Sequence, residues 1–314
     1  MSALLILRLV LLGLIALFLV SALIVHLRSH VRLKLGRQLS SHATVFAPYN
    51  LLMYAFSAVP AGAFPDRQRF TEVNPLRDNW QAIRDEATGL FDRGHIRAAL
   101  KGDDASFNSF FKEGWKRFYV KWYGEPLPSA QKLCPQTVDL VNRIPSCKAA
   151  MFALLPPGSK LNPHRDPFAG SLRYHLGLIT PNSRECRIFV DGQEYFWRDG
   201  EDVVFDETCV HWAENKTNVT RVILFCDIER PLRSRAMAWI NHRVSNFMGA
   251  ITASPNEASE PTGAVNRLFA ALRRRREKNR GFKQRHRKLF KILKFAGGLV
   301  LLWVLLLAPW PLLR

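Results

Sequence analysis

The stretch from Ala149 to Glu229 constrains the fold more than any other part of the chain. AAMFALL runs into Pro156-Pro157-Gly158, LRYHLGLIT into Pro181-Asn182-Ser183, CRIFV into Asp191-Gly192 and EYFW into Arg198-Asp199-Gly200; DVVFD and VTRVILFCDIE follow. Short apolar segments cut at close intervals by turn formers predict an all-β sandwich or barrel. Upstream, Leu76, Trp80, Ile83, Ala87 and Leu90 recur at three- and four-residue steps after Asn74-Pro75, which predicts one buried helix face. An aromatic segment (Trp115, Phe118, Tyr119, Trp122, Tyr123) links the two textures. Residues 233–249 read as helix and 250–267 as a polar linker.

Charge and hydropathy place the chain at a membrane. Of the net charge of +19, eleven units come from Arg273 to Lys294, where twelve basic residues face only Glu277. Such a block suits nucleic acid, an anionic bilayer or a localisation signal. Its neighbour argues against nucleic acid, because Phe295 to Leu313 is uncharged and long enough to span a bilayer. Leu9 to Val25 is uncharged too. It is read as an uncleaved span rather than a signal peptide, since its n-region offers only Arg8 and no small-residue cleavage site follows. Arg28, Arg32, Lys34 and Arg37 follow the first span and the basic block precedes the second, so the positive-inside rule puts the intervening domain in the cytoplasm. The expected organisation is a span over 1–25, a connector over 26–72, a catalytic domain over 73–235, a helix, linker and basic block over 236–294, and a span over 295–313. Residues 49–64 are apolar but too short to cross, and suit either core or interface. Five cysteines without C-x-x-C spacing suit reduced thiols. The sequons at Asn215 and Asn218 would be idle on the cytoplasmic side.

The chemistry concentrates in His164-Arg165-Asp166 and His211. Two residues apart on extended chain, His164 and Asp166 face the same side. With a distant His211 they supply the two-His, one-carboxylate face that holds non-haem Fe(II) with open positions. A catalytic zinc would accept the same ligands, though no H-E-x-x-H helix is present. His-Arg-Asp also opens the kinase catalytic loop, but position 171 is Ser rather than Asn and no D-F-G follows. Arg221 sits in the apolar VTRVILF run, where burial demands an anion. That anion is either a carboxylate of the protein (Asp202, Asp206 or Glu207) or the far end of a dicarboxylate co-substrate, which the guanidinium fork would grip. Arg173 and His175, which point the same way along Arg173-Tyr174-His175, could serve the near end.

At HRDPFAGSLRYHLGL, FDETCVHWAEN and VTRVILFCDIERP, over roughly 75–235, the chain resembles the aspartyl/asparaginyl β-hydroxylase superfamily of Fe(II)/2-oxoglutarate dioxygenases. With its terminal apolar runs and WKRFYVKWYG it is most similar to the bacterial lipid A 2-hydroxylases. The resemblance implies a double-stranded β-helix (jelly-roll, cupin-like) core with flanking helices. It further implies His164 and His211 on iron, and Trp115, Arg173, His175 and Arg221 around 2-oxoglutarate, with Tyr174 grouped with its motif neighbours; Asp166 is either the third ligand, as ordinary H-x-D geometry favours, or an acid supporting the ligands. O2 would be the second co-substrate and ascorbate a stimulant. The implied substrate is a secondary acyl chain of lipid A, hydroxylated at its α-carbon on the cytoplasmic face of an inner membrane rich in anionic lipids. Two departures stand out. Animal relatives carry Gly at the position of Asp166, and a hydroxyl residue that assists the distal carboxylate there corresponds to Ala153 here.

Overall fold

The computed structural model describes residues 3–39, 42–99 and 104–278, with 285 and 296. The expected C-terminal span and most of the basic block lie outside the described residues. Nine strands form the core: β1 Lys116–Trp122, β2 Cys147–Leu155, β3 Lys160–His164, β4 Ser171–Ile179, β5 Cys186–Val190, β6 Gln193–Phe196, β7 Asp202–Phe205, β8 His211–Asn215 and β9 Arg221–Glu229. They make a five-stranded sheet in the order β1-β2-β9-β4-β7 and a four-stranded sheet in the order β3-β8-β5-β6. Every pairing is antiparallel. The two sheets and their flanking helices form a jelly-roll-like β-sandwich.

Strand parity explains why β2, β4 and β9 read as unbroken apolar runs. Ala150, Phe152, Leu154, Leu172, Tyr174, Leu176, Val222, Leu224 and Cys226 belong to a core shared with Ile83, Ala87 and Leu90 of the Trp80–Asp92 helix. The alternate residues Met151, Ala153, Ile223 and Phe225 face Ile188, Val190 and Ala213 of the small sheet. A sheet covered on both sides has no solvent face to mark with polar residues. Gly177 answers a separate demand: a Cβ there would lie 2.0 Å from the Arg198 carbonyl oxygen, where the turn before β7 crosses β4.

The N-terminal helix runs from Ala3 to Leu27. Its Leu5–Leu27 portion is apolar and long enough to cross a membrane, and only 17% of its most apolar window is buried against the protein. The segments that read as connectors are instead packed onto the domain. Arg28 pairs with Asp206 at 2.8 Å, Arg67 with Asp202 at 2.6 Å, and the Ala47–Ala55 helix buries Ala47, Asn50 and Met53 while exposing Leu52. Residues 250–267 are likewise not a loose linker. The Arg235–Thr252 helix ends in a turn whose Ser254 and Asn256 accept from buried Arg117, and another helix starts at Ala264. Polarity there reflects hydrogen bonding within the fold rather than solvation. All five cysteines are buried and unpaired. Asn215 is buried too, its amide donating to the Leu155 and Val219 carbonyls.

Candidate active site

Antiparallel pairing of β3 with β8 sets His164 directly opposite His211. The two ring centroids are 4.2 Å apart. Asp166, two residues beyond His164, returns to the same side, and its backbone N–H donates to the Glu207 carbonyl at 3.0 Å. One potential ligand atom from each of His164, Asp166 and His211 lies within 4.8 Å of the others. Each imidazole is oriented in the same way: His164 Nδ1 meets the Asn162 carbonyl at 2.8 Å, and His211 Nδ1 meets the Cys209 carbonyl at 3.0 Å. A carbonyl on Nδ1 selects the tautomer that offers Nε2 to a metal.

Behind Asp166 stands Arg173. It donates from Nη2 to Asp166 at 2.9 Å, pairs with Glu207, and donates from Nε to Asp227 at 2.7 Å. Its guanidinium lies 3.7 Å from the centre of the Phe225 ring. Ser171 and Tyr123 hold the outer oxygens of Glu207 and Asp227. Burial, reinforced by the neighbouring carboxylates, raises the pKa of Glu207 and of Asp227 even with Arg173 between them. Three carboxylates around one guanidinium favour a cation beside Asp166.

The cavity facing this triad is lined from both sheets, by Leu161, Ile188 and Ala213 on one side and Ala153, Ile223 and Phe225 on the other, with Phe110, Trp115, Trp197 and Phe205 closing it. Arg221, 3% exposed, lines the same cavity. The three carboxylates that might have paired with it are engaged elsewhere: Asp202 with Arg67, Asp206 with Arg28 and Arg230, Glu207 with Arg173. Its Nε has no hydrogen-bond partner, its guanidinium rests 4.4 Å over Trp197, and burial lowers its pKa to about 10. His175 lies beside it. Trp197 Nε1 donates to His175 Nδ1 at 3.4 Å, and His175 Nε2 is buried without a partner. Burial, with Arg173 and Arg221 nearby, keeps this imidazole neutral. An orphaned guanidinium and an orphaned imidazole N–H in one cavity fit a bound carboxylate-bearing molecule.

His164, Asp166, His211, Arg173, His175, Arg221 and Trp115 therefore converge on one cavity. Tyr174 does not. Parity turns it to the opposite face of β4, into the helix-covered core, where its hydroxyl donates to Asp202 at 3.0 Å. Its assignment to the co-substrate is corrected accordingly. Tyr174→Phe should leave turnover unchanged and cost about 1 kcal/mol of stability for the lost hydrogen bond, measured by urea unfolding. Sequence reading missed Trp197, Glu207 and Asp227 as site residues. For Asp227 a signal existed, since it shares a β9 face with Arg221.

Acid should destabilise the metal-free protein. Burial is the main cause of the depressed pKa of both His175 and His211, which for His211 falls to about 3 with His164 as second cause. Below about pH 6.5 the unfolded chain binds protons that the folded chain refuses, so stability drops as pH falls from there toward the folded values. The slope is on the order of 1.4 kcal/mol per pH unit for each imidazole. Melting curves of metal-free protein across that range measure it.

A sequence profile of the aspartyl/asparaginyl β-hydroxylase family matches residues 77–231. An ornithine lipid ester-linked acyl 2-hydroxylase of Rhizobium tropici is 42% identical over 134 residues, 42% of this chain and 47% of that protein. Human aspartyl/asparaginyl β-hydroxylase is 27% identical over 173 residues, 53% of this chain and 22% of that one. The rat aspartate β-hydroxylase domain-containing protein 2 is 27% identical over 205 residues, 62% of this chain and 58% of its own. The matched region thus spans less than two thirds of each relative. Among solved structures, a Pseudomonas putida prolyl-4-hydroxylase overlaps 49% of this chain and 88% of its own at 20% identity, with a TM-score of 0.34. The fold assignment rests on the sheet order described above, and over residues 77–231 the chain belongs to the aspartyl/asparaginyl β-hydroxylase family.

Proposed function

We propose that this protein is an Fe(II)/2-oxoglutarate-dependent hydroxylase acting at C2 of an ester-linked acyl chain of a membrane lipid. The observation that carries the reading is Arg221, a buried guanidinium without a protein carboxylate, in the same cavity as the His164, Asp166 and His211 face. His164 and His211 through Nε2, with a carboxylate oxygen of Asp166, would hold iron, which when bound supplies the oxidising chemistry. The balance is one 2-oxoglutarate, one O2 and one C–H bond converted to succinate, CO2 and one C–OH. Arg221 binds the distal carboxylate of 2-oxoglutarate through its planar fork. His175, neutral and with Nδ1 occupied by Trp197, donates from Nε2 to the co-substrate. Arg173 orients Asp166 and faces the near end. The apolar wall of Leu161, Ile188, Ala213 and Phe225 excludes water from the reacting bond.

The Leu5–Leu27 helix and the relative that acts on ornithine lipid support a lipid substrate. The exposed basic residues Arg32 and Lys34 would meet anionic headgroups at about 1 kcal/mol each. We assign the domain to the cytoplasmic face of a bacterial inner membrane, with a second span over 295–313. Within the lipid class we favour a secondary acyl chain of lipid A, and ornithine lipid carries the same ester-linked C–H bond. Mass spectrometry of lipid A and of ornithine lipid, from hosts making both lipids with and without this chain, tests the reading. One added oxygen on an ester-linked acyl fragment of lipid A is the expected result. The same gain on ornithine lipid moves the substrate within the class. No gain on either lipid overturns the lipid assignment and leaves hydroxylation of Asp or Asn in a polypeptide as the alternative.

A further inference from the structure

Arg165 stands between the two iron-loop ligands His164 and Asp166 and takes no part in the cavity. Alternation along the loop sends its side chain the other way, where it is 3% exposed. There it meets the C-terminal end of the N-terminal helix: Nη1 donates to the Val25 carbonyl at 2.5 Å and Nη2 to the His26 carbonyl at 3.5 Å. A helix leaves its last carbonyls without internal partners, and its dipole favours a cation there. Here that cation comes from the metal-binding loop rather than from the helix itself.

Four further bonds tie the residues that follow this helix to the domain. Arg28, one residue past the helix, reaches Asp206 at 2.8 Å and Thr208 at 3.5 Å, in the loop that leads to His211. The Val31 N–H donates to Asp191 at 2.8 Å. Arg37 donates to the carbonyl of Pro163, the residue before His164, at 2.9 Å. Both loops that deliver the imidazoles are therefore tied to the residues that follow the apolar helix. A free tether would need none of these contacts.

We propose that Arg165 is a positioning residue: it caps the membrane helix from within the metal-binding loop and so holds the mouth of the cavity at a fixed height above the bilayer. The proposal rests on the function assigned above, in that the acyl chain arrives from the membrane. It gives the variable position of this H-x-D motif a role separate from ligation.

The test uses the full chain in vesicles of phosphatidylethanolamine and phosphatidylglycerol carrying lipid A, and in detergent micelles with the same lipid. Spin labels at Leu14→Cys in the helix and Asn218→Cys on the domain report their separation, the five native thiols being buried. For Arg165→Gln the expected result is a broadened distance distribution and a rise of about tenfold in the KM for vesicle lipid, the loss of two charge-assisted hydrogen bonds, with kcat and micelle activity within about twofold of wild type. Arg165→Lys, which keeps a cation at the helix end, should restore the narrow distribution. Arg28→Gln, outside the metal loop, should shift both readouts in the same direction as Arg165→Gln. An unchanged distance distribution, or equal losses in vesicles and micelles, would overturn the proposal. If the wild type makes no succinate in either medium, the functional assignment fails while the distance measurement still decides the clamp.

Discussion

Replacing Arg221 with Met should raise the KM for 2-oxoglutarate by roughly two to three orders of magnitude, and should at the same time leave the metal-free protein as stable as before or more so. The two effects have one cause. A guanidinium 3% exposed, with Nε unpartnered and burial lowering its pKa, is held at a cost of several kcal/mol until an anion arrives. Loss of a buried charge pair on binding is worth about 3–4 kcal/mol, which sets the size of the KM change. Methionine keeps much of the volume over Trp197 and removes the desolvated charge. Had Arg221 been paired with Asp202, Asp206 or Glu207, the same substitution would strand a carboxylate and destabilise the fold by about 3–5 kcal/mol. Isothermal titration with 2-oxoglutarate and urea unfolding of the same variant separate the alternatives. Arg221→Lys should recover part of the affinity, as a point charge without the bidentate fork.

His211→Ala should abolish hydroxylation and weaken Fe(II) binding by more than about a hundredfold, since removing even an outer partner of a metal ligand costs 10–100-fold. The reason is register. Pairing of β3 with β8 puts His211 opposite His164, and among the described residues no His, Asp, Glu or Cys besides Asp166 joins their cluster. Asp166→Asn should have a graded effect: it removes the anionic ligand but keeps an acceptor for Arg173 Nη2. Fe(II) titration of the two variants ranks the ligands. An Asp166→Asn variant with undiminished iron affinity would make Asp166 a support for Arg173 instead.

Much of this site was legible before any coordinates. Period-two alternation fixed which of residues 164–166 and 173–175 share a face, and the apolar context of Arg221 marked a buried charge in need of an anion. The same alternation also excluded Tyr174, a consequence that grouping it with its motif neighbours obscured. The strand texture predicted a sandwich, and the Leu76 to Leu90 periodicity predicted the covering helix, which in fact breaks at Asn79. Other features were out of reach because they depend on long-range pairing. Sequence could not say that Asp202 and Asp206 would be occupied by Arg67 and Arg28, from a segment that read as a connector. Nor could it say that Ser254, Asn256 and Glu260 would be buried around Arg117 and Tyr119. Local composition cannot distinguish a hydrogen bond to solvent from one to a residue over a hundred positions away.

The central claim is that three metal ligands and one unpaired guanidinium form a single oxygenase site. It is tested most directly by incubating the full chain with lipid A, 2-oxoglutarate and O2, with Fe(II) or Zn(II) as the only added metal, and quantifying succinate and hydroxylated acyl chain together. The account predicts equimolar succinate and hydroxyl with Fe(II), neither with Zn(II), and no more than about a tenth of either with the Arg221→Met variant at a 2-oxoglutarate concentration that just saturates the wild type. Zinc-supported turnover, or full succinate formation by Arg221→Met under those conditions, would contradict it.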